Sequence, residues 1–385
     1  MRQRILLRTA YWAGFLFSLH VALTVYINSS YLASNVSENM VGILYTLAAV
    51  VSVLGLFLVP KLINRFGTSK IIGMLIAINI LNLVGMIIAP DLYVLGACFV
   101  LYFAFNTLIY LGIDIMIEHW SKNADQGTVR GSYLTANNFG FMIAPLIAGF
   151  VVDRLGFQTL YGFGIVILIP VLIIIGFQLP TVNHTHPSRS NIFMIARKFL
   201  KNRKLRAVFT INFILQFFYA WMVIYTPIFL HVNAGIPWDS LGFAFTIMLA
   251  AFVLFEYPVG KLIDGHVSER TIMLLGLLIA GVSTLLVTRA PIVTFWALIA
   301  TLFVTRVGAS MIEVASESYF FRHVDHEDTG SIGFFRNTYP FAYLLAPLLG
   351  SVMIGIAPLW SLFVVLGGIC FLGMIVVIRM QRRVR

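Results

Sequence analysis

The chain has 385 residues, of which 60% are hydrophobic and only 11% are charged. Soluble globular proteins carry about 25% charged residues, so this composition excludes an ordinary soluble domain and indicates an integral membrane protein. The formal net charge of +11 could indicate nucleic-acid binding, but the basic residues lie in the connections between apolar runs, which indicates membrane orientation instead.

Twelve apolar runs follow one another, and each is long enough for a helix that crosses the bilayer. A hydrocarbon core of about 30 Å requires about 20 residues of helix. Lipid admits only helices and closed barrels, and these runs are too long for strands. The predicted spanning helices cover residues 11–32, 40–60, 70–90, 92–117, 131–152, 159–179, 206–230, 240–260, 271–288, 292–316, 332–354 and 359–379.

Lysine and arginine are distributed unevenly between alternate connections. If the N-terminus is cytoplasmic, that side contains 22 of the 26 lysines and arginines, whereas the outer loops contain only Arg154 and Arg289. Arg306 and Arg336 lie within helices. The positive-inside rule therefore predicts that both termini are cytoplasmic. The very short outer loops are typical of a prokaryotic protein, so we expect a cell inner membrane location.

An internal repeat divides the chain into halves. Residues 60–70 (PKLINRFGTSK) recur as residues 260–270 (GKLIDGHVSER), with a shared Lys-Leu-Ile-Asx core between the same two apolar runs. Ala144-Pro145 in the fifth predicted helix is matched by Ala346-Pro347 in the eleventh. The repeat predicts two pseudo-symmetric bundles of six helices. We expect bundles at residues 1–180 and 206–385, joined by a cytoplasmic linker at 181–205.

The end of the linker is predicted to form a short amphipathic helix. Ile192, Ile195 or Ala196, and Phe199 recur at helical spacing among basic residues. Such a segment is typical of a helix that lies in the membrane interface and is held there by anionic lipid. The alternative is that these residues only extend the seventh spanning helix.

With this organisation, the chain resembles the major facilitator superfamily over essentially its whole length. The signature of that family between the second and third helices is Gly-x-Leu-x-Asp-Arg-x-Gly-(Arg/Lys)-(Arg/Lys). The resemblance implies an all-α fold of two bundles, a central cavity lined by the first, fourth, seventh and tenth helices, and transport by alternating access. The residues that match are Gly260, Leu262 and Asp264 in the second copy of the repeat, and Leu62, Arg65, Gly67 and Lys70 in the first.

The fifth predicted helix resembles a motif of drug–proton antiporters, Gly-x8-Gly-x3-Gly-Pro-x2-Gly-Gly. The sequence has Gly131, Gly140, Ala144-Pro145 and Ala148-Gly149 at that spacing, with alanine at two of the glycine positions. This resemblance implies export. Small residues that let two helices approach closely would explain the same pattern without any transport direction.

Arg306 and Glu256 are candidate functional residues, because ionisable side chains inside a membrane are costly and commonly functional. Arg306 lies near the middle of the tenth helix, where a guanidinium could bind an anionic or electron-rich group of a substrate. Glu256 lies about 12 Å along the eighth helix from Asp264, and a carboxyl there could carry the coupling proton. The alternative is a permanent salt bridge of Arg306 with Glu256 or Glu313.

Polar residues at helical spacing predict two faces that line the cavity. His20 shares one face of the first helix with Thr24 and Asn28, and it is a second candidate for proton coupling. Its alternative is a hydrogen-bonded structural histidine. The predicted substrate-binding residues are Arg306, Thr24, Asn28, Asn106 at the position of the fourth helix that corresponds to Arg306, and Asn212, Gln216 and Tyr219 on one face of the seventh helix.

Charged residues near the cytoplasmic ends of the helices predict gates, because breaking and remaking ion pairs suits a two-state element. The first copy of the repeat has Asn64 where the second has Asp264. We therefore expect a charged lock in the second half, and in the first half a lock that depends on Arg65 with Asp114 or Glu118. The predicted gating residues are Asn64, Arg65, Asp114, Glu118, Arg130, Asp264, Glu313, Glu317 and Arg336.

The sequence predicts a secondary active transporter, namely a proton-coupled exporter of an amphipathic or anionic small molecule. A proton-coupled importer of a polar anionic nutrient would use the same residues. A non-transporting membrane scaffold or receptor is a third hypothesis, but it has no need for polar faces in its centre. The sequence contains no Walker A motif and no nucleophile–base pattern. We therefore expect that ATP does not drive transport and that the protein is not an enzyme. We expect a monomer with no cofactor, no metal and no nucleic-acid partner.

Overall fold

A computed structural model describes residues 2–121, 126–181, 192–265, 267–324 and 328–380. All regular elements within these ranges are helical, which confirms the predicted all-α membrane protein. In chain order the α-helices are α1 Arg2–Val25, α2 Asn28–Ala33, α3 Glu38–Phe66, α4 Thr68–Ile88, α5 Leu92–Ser121, α6 Gln126–Ile173, α7 Ile192–Lys201, α8 Arg203–Ile228, α9 Trp238–Gly265, α10 Glu269–Val287, α11 Phe295–Phe321, α12 Thr329–Arg336, α13 Thr338–Ile354 and α14 Ser361–Ile378.

The helices account for the twelve predicted spans. Ten described segments are long and apolar enough to cross a bilayer. One of them, Asn137–Gln178, contains two spans, because Gly156 adopts φ 81° and turns the chain between them. Helix α13 has 17 residues and is therefore about 26 Å long, which covers most of a hydrocarbon core.

The described residues form two compact units. The first contains the residues up to 181 together with 237–243, and the second contains 192–236 and the residues from 244 onwards. The linker helix α7 therefore belongs with the second unit, and the first turns of α9 cluster with the first. In the first unit α1 packs on α6, and α5 packs on α3 and α4. In the second, α10 packs on α11 and α14, and α8 packs on α13.

Gly67 forms the turn between α3 and α4 in the first copy of the repeat. Its φ is 89°, a conformation that glycine adopts without steric cost. A Cβ atom there would lie 2.0 Å from Cγ2 of Thr181, so the space is also closed to any larger residue. The Ser69 hydroxyl donates to the Leu179 carbonyl at 3.0 Å and attaches the start of α4 to the end of the sixth span.

Helix α7 is separate from the seventh spanning helix. Asn202 caps α8, and its Oδ1 accepts from the backbone N–H groups of Lys204 at 2.9 Å and Leu205 at 3.3 Å. The expected apolar face of α7 has different surroundings from those predicted, because Phe199 packs on protein. Phe199 is only 3% exposed and packs against the rings of Phe209 and Phe334 at 5.7 and 4.8 Å. Burial among aromatic rings of its own unit replaces the contact with lipid that helical spacing suggested.

An ion pair fastens α7 to the start of α12. The Lys198 ammonium lies 2.5 Å from Oδ2 of Asp328 and 3.1 Å from the Ser331 hydroxyl. Asp328 also caps α12, since its Oδ1 accepts from the Ser331 N–H at 2.9 Å. The hydrogen bond from Lys198, followed by that from the Ser331 N–H, lowers the pKa of Asp328 from 3.8 to about 2.

We expect acid to release α7 from α12. Because the pKa of Asp328 is lower in the folded protein, its pairing stabilises the contact above pH 3.8 and this stabilisation is lost as the pH falls through about 2. Spin labels on cysteines placed at 194 and 333 should report a short distance at neutral pH and a broader distribution below pH about 2. In Asp328→Asn the broad distribution should appear already at neutral pH. A distribution that is insensitive to both acid and this substitution would contradict the role of the ion pair.

Candidate functional site

Arg306 is buried against aromatic rings inside the second unit. It lies on α11 with 1% of its surface exposed. Its Cζ atom is 5.5 Å from the centre of the Phe218 ring and 5.7 Å from that of Tyr219, both on α8. A guanidinium is weakly hydrated and interacts favourably with aromatic faces, which explains how a permanent cation is held at this depth.

Tyr219 connects this cation to a carboxylate. Its hydroxyl donates to Oε2 of Glu313 at 2.6 Å, while its ring lies beside Arg306. Glu313 follows Arg306 by seven residues, so both side chains lie on one face of α11. The tyrosine therefore touches both charged groups, and any movement of α8 against α11 changes the environment of both.

Two further carboxylates and a second guanidinium surround this pair. Glu256 on α9 is half-buried, and it and Glu317 on α11 are within electrostatic range of Glu313. Arg336, at the end of α12, is within electrostatic range of Glu317. Among the residues that the structure describes, the cluster thus contains three carboxylates and two guanidiniums. When every group is ionised it has one negative charge more than positive, which is costly inside a membrane.

The predicted polar face of α8 lies beside this cluster. Oδ1 of Asn212 accepts from Nε2 of Gln216 at 3.4 Å and from the Thr338 hydroxyl at 3.3 Å. Asn212 is 6% exposed, whereas Gln216 and Tyr219 are half-buried. The three residues therefore share a face as predicted, but Asn212 is occupied by contacts within the unit. Gln216 and Tyr219 are the members that remain partly accessible.

His20 and Thr24 lie inside the first unit, and this differs from the expectation that they face water. The Tyr102 hydroxyl on α5 is 3.1 Å from Nε2 of His20 and 2.8 Å from the Thr24 hydroxyl. His20 is 0% exposed and Thr24 is 1% exposed. A Cβ atom on Gly164 of α6 would lie only 3.0 Å from Nδ1 of His20, so glycine provides the space for the imidazole. These contacts favour the structural reading of His20.

Asn28 and Asn106 are also buried by hydrogen bonds within the first unit. Oδ1 of Asn28 accepts from the Tyr161 hydroxyl at 2.9 Å, and Oδ1 of Asn106 accepts from Nδ2 of Asn79 at 2.8 Å. Asn106 is 8% exposed, and Asn28 is 5% exposed. Sequence reasoning missed the partners Tyr102, Tyr161 and Asn79. A single tyrosine in an apolar helix gives no periodic signal. Asn79 could have been detected, because it is a polar residue in the middle of the third span.

Asp264, one of the gate residues predicted for the second unit, belongs to a second charged cluster. Arg322, at the end of α11, lies 3.6 Å from Asp264 and 2.7 Å from Glu269, which is in the first turn of α10. Asp264 is 83% exposed and Glu269 is buried. Sequence reasoning named Asp264 but missed Glu269. Glu269 is also a favourable residue for a helix N-terminus, which was a second signal for it.

The gate of the first unit stays a prediction. Asn64 and Arg65 are exposed, and the guanidinium of Arg65 lies 5.1 Å from the ring centre of Phe66. Asp114 is exposed on α5. The side chains of Glu118 and Arg130 lie outside the described residues.

The small residues of the fifth span contribute to close helix packing. A Cβ atom on Gly149 would lie 2.3 Å from the carbonyl oxygen of Trp238 and 2.8 Å from Cα of Gly242, both within the first unit. One on Gly140 would lie 3.4 Å from the Phe15 ring. The close approach of two backbones therefore explains the glycine at position 149, and this explanation implies no direction of transport.

Comparisons with known proteins agree with the architecture. Residues 10–241 and 233–385 match the family model of the Major Facilitator Superfamily. The fold is similar to the crystal structure of the nucleoside transporter NupG, with a TM-score of 0.79 and 13% sequence identity over 98% of this chain and 100% of that one. A point mutant of the same transporter gives a TM-score of 0.78 with the same identity and coverage. No curated protein sequence matches the chain.

Proposed function

Since the chain belongs to the major facilitator superfamily of membrane transporters and is not an enzyme, we propose that it is a proton-coupled secondary transporter in which Glu313 carries the proton. The observation that supports this most strongly is the contact of Tyr219 with both Glu313 and Arg306. Glu256 was the first candidate from the sequence. Glu313 is preferred because it has a direct hydrogen-bond partner that also contacts the buried cation.

The charges of the cluster support a proton on one of its carboxyls. Three carboxylates face two guanidiniums, so one proton makes the cluster neutral. Protonation of Glu313 removes the charge that opposes Arg306 and turns a strong ionic acceptor for Tyr219 into a weaker one. The two protonation states therefore favour different arrangements of α8 against α11 within the second unit, so proton binding can shift the balance between them.

The sign of coupling follows from the charge of the substrate. Proton binding makes the cluster less negative, so an anionic group binds better when the proton is present. By linkage, the anion then strengthens proton binding and the two move in the same direction. Arg306 is buried behind Phe218 and Tyr219. Arg306 therefore acts on the substrate through its charge, while the half-buried Gln216 and Tyr219 are the side chains available for direct contact with the substrate.

The substrate class that we propose is a small molecule with an anionic or electron-rich polar group. The half-buried rings of Tyr219 and Phe252, whose centres are 6.1 Å apart, adjoin the cluster and suit a planar ring. The protein of similar fold transports nucleosides by its name, and a nucleoside combines such a ring with hydroxyl groups. Nucleosides and aromatic carboxylates are therefore the first compounds to test.

Export in exchange for protons is a second candidate. It rests on the resemblance of the fifth span to the antiporter motif. In that case the substrate competes with the proton for the cluster, and a cationic or neutral amphipathic molecule fits better than an anion. Transport of quaternary ammonium compounds would test this second candidate function.

We propose that both termini are cytoplasmic in a cell inner membrane, because the basic residues concentrate on that side. We also propose that a monomer is the working unit.

The test measures proton movement in proteoliposomes that contain an internal pH indicator. Compounds are first selected by their ability to raise the melting temperature of the purified protein. A co-transported anion should acidify the lumen, and Glu313→Gln should reduce this proton flux about tenfold, a typical size for the coupling between two sites. Because Gln retains an acceptor for Tyr219, exchange of labelled substrate should persist.

Asp239→Asn is the control, since Asp239 is an exposed carboxylate in the first turn of α9 and lies outside the cluster. It should retain the proton flux. Unchanged proton flux in Glu313→Gln would refute the coupling role of this residue, and alkalinisation by a selected compound would favour exchange with protons.

A further inference from the structure

A group of exposed basic residues lies where the seventh span begins. It consists of Lys201 at the end of α7, Arg203, Lys204 and Arg206 at the start of α8, and Arg379 just after α14. We refer to these five residues as the basic patch. They all belong to the second unit, and none of them takes part in the cluster around Glu313.

Hydrogen bonds to carbonyl groups hold the patch in place. Nη2 of Arg203 donates to the carbonyl of Arg379 at 2.8 Å, which connects the start of α8 to the end of α14. Nη1 of Arg206 donates to the carbonyl of Leu200 at 3.1 Å, which connects it to α7. A guanidinium has five N–H donors, so each arginine is fixed by one bond and retains further donors.

The positive charges of the patch favour the binding of an anion. The first turn of α8 contains basic residues and no acidic one, whereas the partial positive charge at a helix N-terminus favours acidic residues. Among the described residues of α7 and α12, the carboxylate of Asp328 is already engaged by Lys198. Positive side chains and the helix N-terminus therefore reinforce one another, and a bound anion would offset both.

Apolar side chains beside the patch indicate where that anion comes from. Met194 and Leu200 on α7 are 71% and 64% exposed. The spanning segment begins at Arg203, three residues after Leu200, so Leu200 lies near the point where the chain enters the membrane. Met194 shares a face of α7 with Lys201 of the patch. Exposed apolar residues next to fixed cations at this level match the acyl chains and the headgroup of a phospholipid.

We propose that the basic patch binds the headgroup of an anionic phospholipid, whose acyl chains contact Met194 and Leu200. The simpler explanation is that these residues only orient the protein by the positive-inside rule. That rule requires positive charge in the inner connections, but it requires neither fixed guanidiniums nor preference for one lipid. The two explanations therefore differ in what a change of lipid does.

The test titrates the full-length protein, delipidated in neutral detergent, with dioleoyl phosphatidylglycerol or dioleoyl phosphatidylcholine. The melting temperature should rise with phosphatidylglycerol and much less with phosphatidylcholine. Lys204→Gln should weaken the apparent affinity for phosphatidylglycerol about fivefold, as expected for one basic residue near the surface. Lys204→Gln combined with Arg206→Gln should remove the preference.

Lys261→Gln is the control, because Lys261 lies in the second copy of the repeat and is expected on the same side of the membrane. Its ammonium lies 4.8 Å from the Tyr257 ring, outside the patch. This variant should keep the lipid preference. Equal stabilisation by both lipids, retention of the preference in the double variant, or its loss in Lys261→Gln would overturn the proposal. Inorganic phosphate that stabilises as strongly as phosphatidylglycerol would overturn the assignment to lipid.

Discussion

Arg306→Met is expected to lower the free energy of unfolding by about 3–5 kcal/mol, the usual cost when one partner of a buried charge network is removed. Arg306 is 1% exposed and lies beside the rings of Phe218 and Tyr219. Without it, Arg336 is the one guanidinium left in the described cluster to offset Glu313, Glu256 and Glu317. Methionine fills a similar volume, so the loss is one of charge rather than of packing.

The measurement is reversible unfolding in mixed micelles, followed by tryptophan fluorescence. The decisive comparison is Arg306→Met with Glu313→Gln in the same molecule. If the two charges compensate one another, the double variant should be more stable than Arg306→Met alone, and a double-mutant cycle gives their interaction energy. Effects that simply add would show that Arg306 and Glu313 are independent, and the proposed cluster would then be wrong.

Arg306→Lys separates charge from shape. Lysine keeps the positive charge but lacks the planar group that lies against the two aromatic rings. We expect an intermediate loss of stability and a change in the pH at which transport is half-maximal. Stability equal to that of the unmodified protein would show that the rings contribute little.

Gly308→Ala is expected to destabilise the second unit by about 3 kcal/mol, at the upper end of the usual cost of overpacking. A Cβ atom at Gly308 would lie 2.6 Å from the backbone nitrogen of Ala280 and 2.7 Å from the carbonyl oxygen of Gly276. Both neighbours are backbone atoms of α10, so no side chain can move away. The two helices would have to separate, and Arg306 lies only two residues from the contact.

Gly368→Ala is the matched control on α14. A Cβ atom at Gly368 would meet no atom within 4 Å. Alanine there should be neutral or stabilise by up to about 1 kcal/mol, because it favours the helix over the unfolded chain. Melting temperatures of the two variants check the prediction. Equal melting temperatures would show that α10 and α11 are not in the close contact that the structure describes.

The sequence alone determined the class of protein and predicted its organisation along the chain. Apolar length predicted each span, and the echo of residues 60–70 in 260–270 predicted the division into halves. These features are local, since a helix in lipid must satisfy its own backbone and must be about 20 residues long. The pairing of Arg306 with Glu313 on one face of α11 was likewise available from helical spacing.

Only the tertiary structure decided which way each helix is turned. The polar residues of the first span were expected to face water, but His20 and Thr24 are bonded to Tyr102 inside the first unit. The reason is physical. In a soluble protein, the apolar face of a helix is the face that points inward. Lipid is as apolar as a protein core, so the hydrophobic pattern of a spanning helix does not distinguish its lipid-facing side from its protein-facing side.

The candidate site depended on the same information. Tyr219 was named from its spacing with Asn212 and Gln216, but its hydrogen bond to Glu313 joins residues that are 94 positions apart. The choice between Glu256 and Glu313 likewise required the arrangement of three helices. The sequence determined that costly charges lie within the membrane, and the packing of α8 against α11 decided which of them meet, because contacts between distant helices leave no local pattern.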